Sequence, residues 1–404
     1  MERLSGPVSL RQIFLDRGNW WRFWAANAGK LRWAIIWNVA RMLACQTGRL
    51  GWHTYACTRC GLSRRVPHTC KSRFCSRCGV WAANCWSQHT VEELLPVPYQ
   101  HLIFSVPFEL RPWLAANRRT GLNLLFRAVA DTLLRYARSQ GYRPGMLAVL
   151  HTFGSDLKWH PHLHVLITAG GLSLDGQRWL RRNFLPQQAI RPMYRYALLK
   201  ALGAAARKGL LQAPPKAGHL RQARAFCSWL SQFFRREHYV YFSKTCDQPR
   251  RAVGYIGRYG RRPVMAEHRL LAYDGRTVTF RYKDYASGNL AATMKLPVPE
   301  FLGRLVRHIP DMHFRQLRFY GLFANRVRTK LLAQARKILG VPRRAPAQPP
   351  NWRERRKRST GRDPLLCPRC RLPMVLVEVV CCGGEFRAGL ETFDVRAYAR
   401  GQPA

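Results

Sequence analysis

The sequence predicts an α+β chain of two or three domains. Three observations carry that reading. Apolar runs of strand length recur at 101–107, 146–153 and 163–167, and a long helical pattern at 110–138 separates the first two. An Asp274-Gly275 pair between two β-rich runs marks a hairpin, and so an antiparallel pairing. A cysteine-dense stretch at 51–90 sets off an amino-terminal module of different character.

The elements follow in order. Residues 1–50 read as helical, because Trp33, Ile36, Val39, Ala40 and Leu43 fall at helical spacing. After the cysteine segment, His101 to Pro107 reads as a strand. Residues 110–138 then read as one amphipathic helix carrying Leu122, Leu125, Phe126, Val129, Leu133 and Leu134 on its apolar stripe. Met146 to Phe153 and Leu163 to Ile167 are further strands, the latter closed by Gly170-Gly171. Helices fill 177–240, broken near Pro214-Pro215. Arg269 to Tyr273 and Thr277 to Tyr282 flank the Asp-Gly pair, which suits a type I′ turn. Residues 298–338 return to helix. Val341 to Pro364 is a Pro- and Arg-rich linker that cannot build a core, and a cysteine-containing tail follows. The expected organisation is a helical, zinc-binding, DNA-binding domain at 1–95, a catalytic domain at 96–340, and a basic linker and tail at 341–404.

Charge narrows the function. The chain carries 68 Lys+Arg against 21 Asp+Glu, a net +47. Self-repulsion on that scale is costly unless a polyanion is bound, and nucleic acid is the natural one. Arginine dominates, and its planar fork suits bidentate phosphate contacts. Residues 1–20 lack the apolar core of a secretory signal, and the longest apolar run, Trp33 to Ala40, is far short of the ~20 residues a membrane span needs. A cytoplasmic, nucleoid-associated protein without a membrane partner is expected. The 13 cysteines then read as metal ligands and buried thiols rather than disulfides.

Cys57-x2-Cys60 and Cys75-x2-Cys78 lie 14 residues apart, a spacing that can close a tetrahedral thiolate site for structural Zn²⁺. Cys70 could replace one ligand. Arg59, Arg64, Arg65, Lys71, Arg73 and Arg77 thread the cluster, and Arg73 is a candidate DNA contact. In the tail, Cys367-x2-Cys370 is half a site. Its nearest partners, Cys381 and Cys382, are adjacent, which leaves a second zinc and uncommitted thiols as alternatives.

In Trp159-His-Pro-His-Leu-His-Val-Leu-Ile167, strand alternation puts His162 and His164 on one face while Leu163 enters the core. Two imidazoles about 7 Å apart along a strand can grip one cation. Near residue 255, Tyr255 and Tyr259 stand four apart, so a helix stacks them on one face. Arg258, Arg261 and Arg262 crowd them, poor company for a core and good company for a phosphate. A tyrosine of ordinary pKa is phenolate roughly one part in a thousand at pH 7. Its attack on a phosphodiester therefore needs the proton removed and the developing charge stabilised, and a divalent ion on the histidines can do the second. Transesterification conserves the bond energy, so no ATP is needed. The absence of a Gly-x4-Gly-Lys-Ser/Thr loop agrees.

These residues resemble the rolling-circle, two-tyrosine transposases of the insertion-sequence-91 type, within the His-hydrophobic-His endonuclease superfamily. The resemblance runs from about residue 35 to 330. It rests on the Cys57/Cys60/Cys70/Cys75/Cys78 cluster, the run from His151 to Leu166, Gly170-Gly171, Tyr255-Ile-Gly-Arg-Tyr259 and Phe319-Tyr-Gly-Leu-Phe-Ala-Asn325. It implies an antiparallel sheet flanked by helices and single-stranded DNA at transposon ends and target as substrate. It also implies a 5′-phosphotyrosine link to Tyr255 and Tyr259, and Mg²⁺ or Mn²⁺ held by His162 and His164. The superfamily adds a third polar ligand, for which His151, His160, Asp156, Gln248, Glu267 and His268 are candidates. A homodimer is compatible with the sequence. The alternatives are a plasmid replication initiator or relaxase, which the amino-terminal zinc module argues against, and a non-enzymatic zinc protein that binds DNA.

Overall fold

The computed structural model describes residues 8–182, 185–237, 239–246, 263–284, 287–288, 290–342, 350–381, 385–388 and 391–394. In chain order its elements open with helices α1 (Leu10–Leu15), α2 (Asn19–Ala26) and α3 (Trp33–Leu43). Strands β1 (Trp52–Ala56) and β2 (Ser63–Pro67) and helix α4 (Ser76–Glu93) follow. Then come β3 (Tyr99–Ser105), α5 (Arg111–Ala116), α6 (Arg118–Ser139), β4 (Tyr142–Arg143), β5 (Gly145–Phe153) and β6 (Trp159–Thr168). Next are β7 (Gly170–Ser173), β8 (Trp179–Arg181), α7 (Gln187–Arg207), α8 (Ala223–Ser231) and β9 (Val240–Cys246). The chain continues through β10 (Leu270–Tyr273), β11 (Thr277–Asp284), β12 (Leu290–Pro297), α9 (Val298–Val306), β13 (Leu317–Gly321) and α10 (Arg328–Ile338). Helix α11 (Trp352–Thr360) and β14 (Val375–Val380) come near its end.

Two compact units emerge. The first comprises Met1–Cys85, Arg261–Pro310 and Ala347–Ala404; the second comprises Trp86–Gly260 and Asp311–Pro346. The division departs from the expected 1–95, 96–340 and 341–404 blocks, because both the β10–β12 region and the tail fold with the amino terminus. In the first unit, Tyr273 on β10 donates to Asp16 at 2.6 Å and accepts from Asn19 at 2.8 Å, tying the hairpin to the amino-terminal helices. The tail adds β14 to β1, giving an antiparallel sheet in the order β14-β1-β2.

The second unit is built on a five-stranded antiparallel sheet, ordered β13-β5-β6-β3-β9. Alternation sorts its side chains. Leu102, Phe104, Ala148, Leu150, Leu163 and Val165 face α6 and α7, where Leu125, Phe126, Val129, Ile190, Tyr194 and Leu198 are buried against them. Each such Leu or Phe contributes about 1.5–3 kcal/mol of burial. On the opposite face Tyr99, Leu147, Val149 and Leu166 pack on Leu331, Leu332 and Ala335 of α10. The fold class is therefore as the sequence predicts: α+β, an antiparallel sheet flanked by helices, with cysteine clusters near the amino terminus.

Several local expectations need correction. The helix at 110–138 is two helices that meet at Asn117, whose φ of −116° and ψ of 50° leave the helical region. Its side chain donates to the Trp113 and Gln212 carbonyls and accepts from Gln212 N, which holds the break. Residues 177–240 begin with β8 before helix starts, and 298–338 hold β13 between two helices. In both places strand pairing overrides a helical apolar pattern. At the Asp274-Gly275 hairpin the positive φ falls on Gly275 (84°) and not on Asp274, which rules out type I′. Asp274 instead accepts from Arg276 N, Thr277 N and Thr277 Oγ1 and closes the turn itself. The 341–364 linker contains α11, started by a capping box between Asn351 and Glu354 and ended at Gly361 with φ 68°.

Candidate metal centres

The first centre lies on the sheet of the second unit. His151 on β5 is the register partner of His162 on β6, and His164 follows two residues on. All three face the α10 side, beyond the end of its apolar patch. Their ligating nitrogens lie within 4.8 Å of one another, and all three side chains are buried. His162 and His164 thus meet as their alternation predicts. Of the candidates for a third ligand, the structure brings in His151. His160 is outside the cluster, although its ring centroid is 5.0 Å from that of His162. Asp156 caps the β5–β6 loop by accepting from Lys158 N at 3.1 Å. Glu267 accepts from Ser76 Oγ and Leu10 N.

Hydrogen bonds orient the rings. Nδ1 of His162 lies 2.7 Å from the His160 carbonyl, which can only accept, so Nδ1 carries the proton and Nε2 is the nitrogen with a lone pair to offer a metal. Nδ1 of His164 lies 3.0 Å from Nε2 of His101 on β3, and the two rings stack at 9°. Sequence reasoning missed His101; its parity along the strand gives its face, but only the pairing of β3 with β6 brings it to His164. Burial lowers the His162 pKa to about 4, with the His160 carbonyl opposing and Arg111 adding to the fall. Burial likewise takes His101 to about 4, and holds His164 well below the ordinary value. Neutral imidazole is the form that ligates a metal.

The loop that sets the two strands in register is strained. Leu157 has φ 63°, a left-handed conformation that costs a branched residue about 1–2 kcal/mol. Its full burial, about 1.5–3 kcal/mol, offsets that cost.

The cysteines form two further groups, both in the first unit. Cys45, Cys70, Cys75 and Cys78 make one; Cys57, Cys60, Cys367 and Cys370 make the other, each with sulfurs within 4.8 Å of one another. The expected Cys57/Cys60/Cys75/Cys78 site is therefore corrected: each Cys-x2-Cys pair belongs to a different group. Cys70 is a full member of the first, and Cys45, just past the end of α3, is the residue that spacing could not reveal. In that group Cys78 Sγ lies 3.6 Å from both Cys45 and Cys70 Sγ. A Zn–S bond of about 2.3 Å places tetrahedral sulfurs about 3.8 Å apart, so the group is sized for zinc. In the other group, backbone N–H groups of Cys60 and Arg59 aim at the Cys57 sulfur and lower its pKa to about 7. Arg73 is half-buried in the turn before α4. Tyr255, Tyr259, Arg258, Arg261 and Arg262, with Gln248, lie outside the described residues. Among the described residues no helix is long and apolar enough to cross a membrane.

An antiparallel sheet bearing paired strand histidines, with a cysteine-rich amino-terminal module, defines a zinc-binding protein of the His-hydrophobic-His class. Comparison with known proteins agrees. The family described as "Putative transposase" matches residues 145–330, and that described as "Transposase zinc-binding domain" matches 17–106. The chain is 34% identical over 345 residues to "Putative transposase y4qJ" of Sinorhizobium fredii, covering 83% of this chain and 87% of the relative. It is 31% identical over 380 residues to "Transposase for insertion sequence element IS801" of Pseudomonas savastanoi pv. phaseolicola, covering 93% and 90%. No solved structure matches. The chain belongs to the two-tyrosine transposases of the insertion-sequence-91 type, enzymes that cut and transfer DNA strands.

Proposed function

We propose that this transposase nicks and rejoins single-stranded DNA through a covalent 5′-phosphotyrosine intermediate, in rolling-circle fashion. The observation that carries the proposal is the buried cluster of His151, His162 and His164, whose ligating atoms converge within 4.8 Å in a chain of this family. A phenol oxygen of Tyr255 or Tyr259 attacks the phosphorus, and one P–O bond forms as another breaks. The leaving 3′ oxygen takes up a proton and departs as a free hydroxyl, while the phenolic proton passes to solvent. The second tyrosine permits a second transfer before the first strand is released.

The donor set fits a divalent ion. His151, His162 and His164 would hold such an ion through neutral imidazole nitrogens. Mg²⁺ or Mn²⁺ bound there supplies polarisation of the scissile phosphate. The protein's own part is orientation: the His160 carbonyl fixes the His162 tautomer, and His101 steadies His164. Exposed arginines on the cysteine module, among them Arg59, Arg64 and Arg65, suit a DNA backbone, as do Arg73 and, near the tyrosines, Arg258, Arg261 and Arg262.

The test is covalent trapping. The protein is incubated with single-stranded DNA and Mn²⁺, denatured, and examined for a protein–DNA adduct, whose linked residue is mapped by mass spectrometry. The adduct should map to Tyr255 or Tyr259 and vanish in His162→Ala and in Tyr255→Phe/Tyr259→Phe. An adduct indifferent to both changes would defeat the proposal.

A further inference from the structure

We propose that Cys57, Cys60, Cys367 and Cys370 bind a second zinc ion, which fastens the carboxyl-terminal segment to the amino-terminal module. The site extends beyond the zinc-binding domain matched at 17–106, since half its ligands come from residues past 360.

The two halves are built alike. In the first, Cys57 N donates to Leu62 O at 2.9 Å and Gly61 N to Cys57 O at 3.0 Å, with Gly61 at φ 68°. In the second, Cys367 N donates to Leu372 O at 2.9 Å and Arg371 N to Cys367 O at 2.9 Å, with Arg371 at φ 58°. Backbone N–H groups aim at the first sulfur of each pair, including Cys370 N at 3.5 Å from Cys367 Sγ. The same Cys-x2-Cys turn thus occurs twice, at the same positions relative to its cysteines, with the two copies turned toward each other. A left-handed arginine is unfavourable without a reason, and a ligand that needs the turn is one.

Distances favour a metal over a disulfide. Cys60 Sγ and Cys367 Sγ lie 3.6 Å apart, close to the roughly 3.8 Å edge of a zinc–thiolate tetrahedron and far from the ~2.05 Å of an S–S bond. Apolar groups shield one side: Met374 is buried there, and Tyr55 and Leu62 pack against the cluster. The neighbouring register is consistent, because β14, which begins five residues after Cys370, pairs along β1, which ends one residue before Cys57. Exposed Arg59, Arg369 and Arg371 ring the centre and would balance the two negative charges that four thiolates and one Zn²⁺ carry.

The test uses the full-length protein in a His162→Ala background, so that the imidazole site does not add to the metal count. Elemental analysis should give two zinc ions per chain, and one in Cys367→Ser/Cys370→Ser. Cys70→Ser/Cys78→Ser should also retain one, with Cys60 still protected. A second measurement needs no cysteine change. Cys60 and Cys381 are both exposed, so iodoacetamide should reach both equally unless Cys60 is ligated. Zinc ligation should slow Cys60 alkylation at least ~10-fold relative to Cys381, and a chelator should abolish the difference. One zinc per chain with Cys60 as reactive as Cys381, or a Cys60–Cys367 disulfide in the intact mass, would overturn the proposal. Neither result would bear on the tyrosine chemistry.

Discussion

The proposed metal site divides its histidines into candidate ligands and a support, and substitution should separate the two. His151, His162 and His164 converge, whereas His101 lies outside that group and meets Nδ1 of His164 through its own Nε2. Loss of an outer hydrogen-bonding partner typically weakens metal affinity by about 10–100-fold without removing a ligand. His101→Ala should therefore raise the Mn²⁺ concentration for half-maximal adduct formation by about that factor, with full yield restored at saturating Mn²⁺. His151→Ala should stay defective at any practical Mn²⁺ concentration. An unchanged Mn²⁺ titration for His101→Ala would show that its ring contact has no bearing on the metal. This division explains what the sequence could reveal. His162 and His164 were legible because a strand's period of two fixes their common face without knowledge of any partner. The role of His151 depends on register across a hairpin, and that of His101 on the neighbouring strand, so neither is encoded in local spacing. The cysteines fail for the same reason. Cys-x2-Cys identifies a turn, but which turns share an ion is decided by pairings such as β1 with β14, hundreds of residues apart.

Among the elements, the central sheet depends on close approach at one corner. Gly145 opens β5, and a Cβ there would meet the buried Phe323 ring at 2.4 Å. Its register partner Gly321 has φ 60° and would push a Cβ to 1.9 Å from the Pro144 carbonyl oxygen. Gly145→Ala should thus force β13 or Phe323 to shift and cost about 1–3 kcal/mol, as overpacking does. Gly218→Ala meets nothing within 4 Å and has no positive φ, so it serves as the control, within about 0.5 kcal/mol of the parent. Urea unfolding of the two variants tests this, and equal midpoints would show that the corner yields freely. Here the sequence misled. Phe319 to Phe323 lies in a stretch whose apolar spacing reads as helix, yet Gly145 and Gly321 make room for a strand and its tight exit. The signal was the two glycines together, which only the register of β13 on β5 connects.

At the scale of the molecule, charge sets how the proposed DNA binding should respond to salt. The net +47 cannot be balanced internally, because 68 basic residues face only 21 acidic ones. Exposed ion pairs such as Arg127–Asp131 and Arg236–Glu109 are worth about 0–1 kcal/mol each. The excess of basic over acidic residues is what a polyanion such as the proposed DNA substrate would neutralise. For single strands the slope of log K against log salt is about −0.7 per phosphate contacted, so eight contacts give a slope near −5.6. A rise from 50 to 200 mM salt should then weaken binding by about 10³-fold. Both cysteine groups hold exposed arginines in fixed turns, so chelation should lower the magnitude of that slope as well as the affinity. Fluorescence anisotropy of a labelled oligonucleotide across a salt series, with and without chelator, measures both. A slope that chelation leaves untouched would place the DNA-binding arginines elsewhere, on the sheet unit or near Tyr255 and Tyr259. A slope shallower than about −2 would mean that fewer than three or so phosphates are engaged, leaving the basicity of this chain without the polyanion it is built to meet.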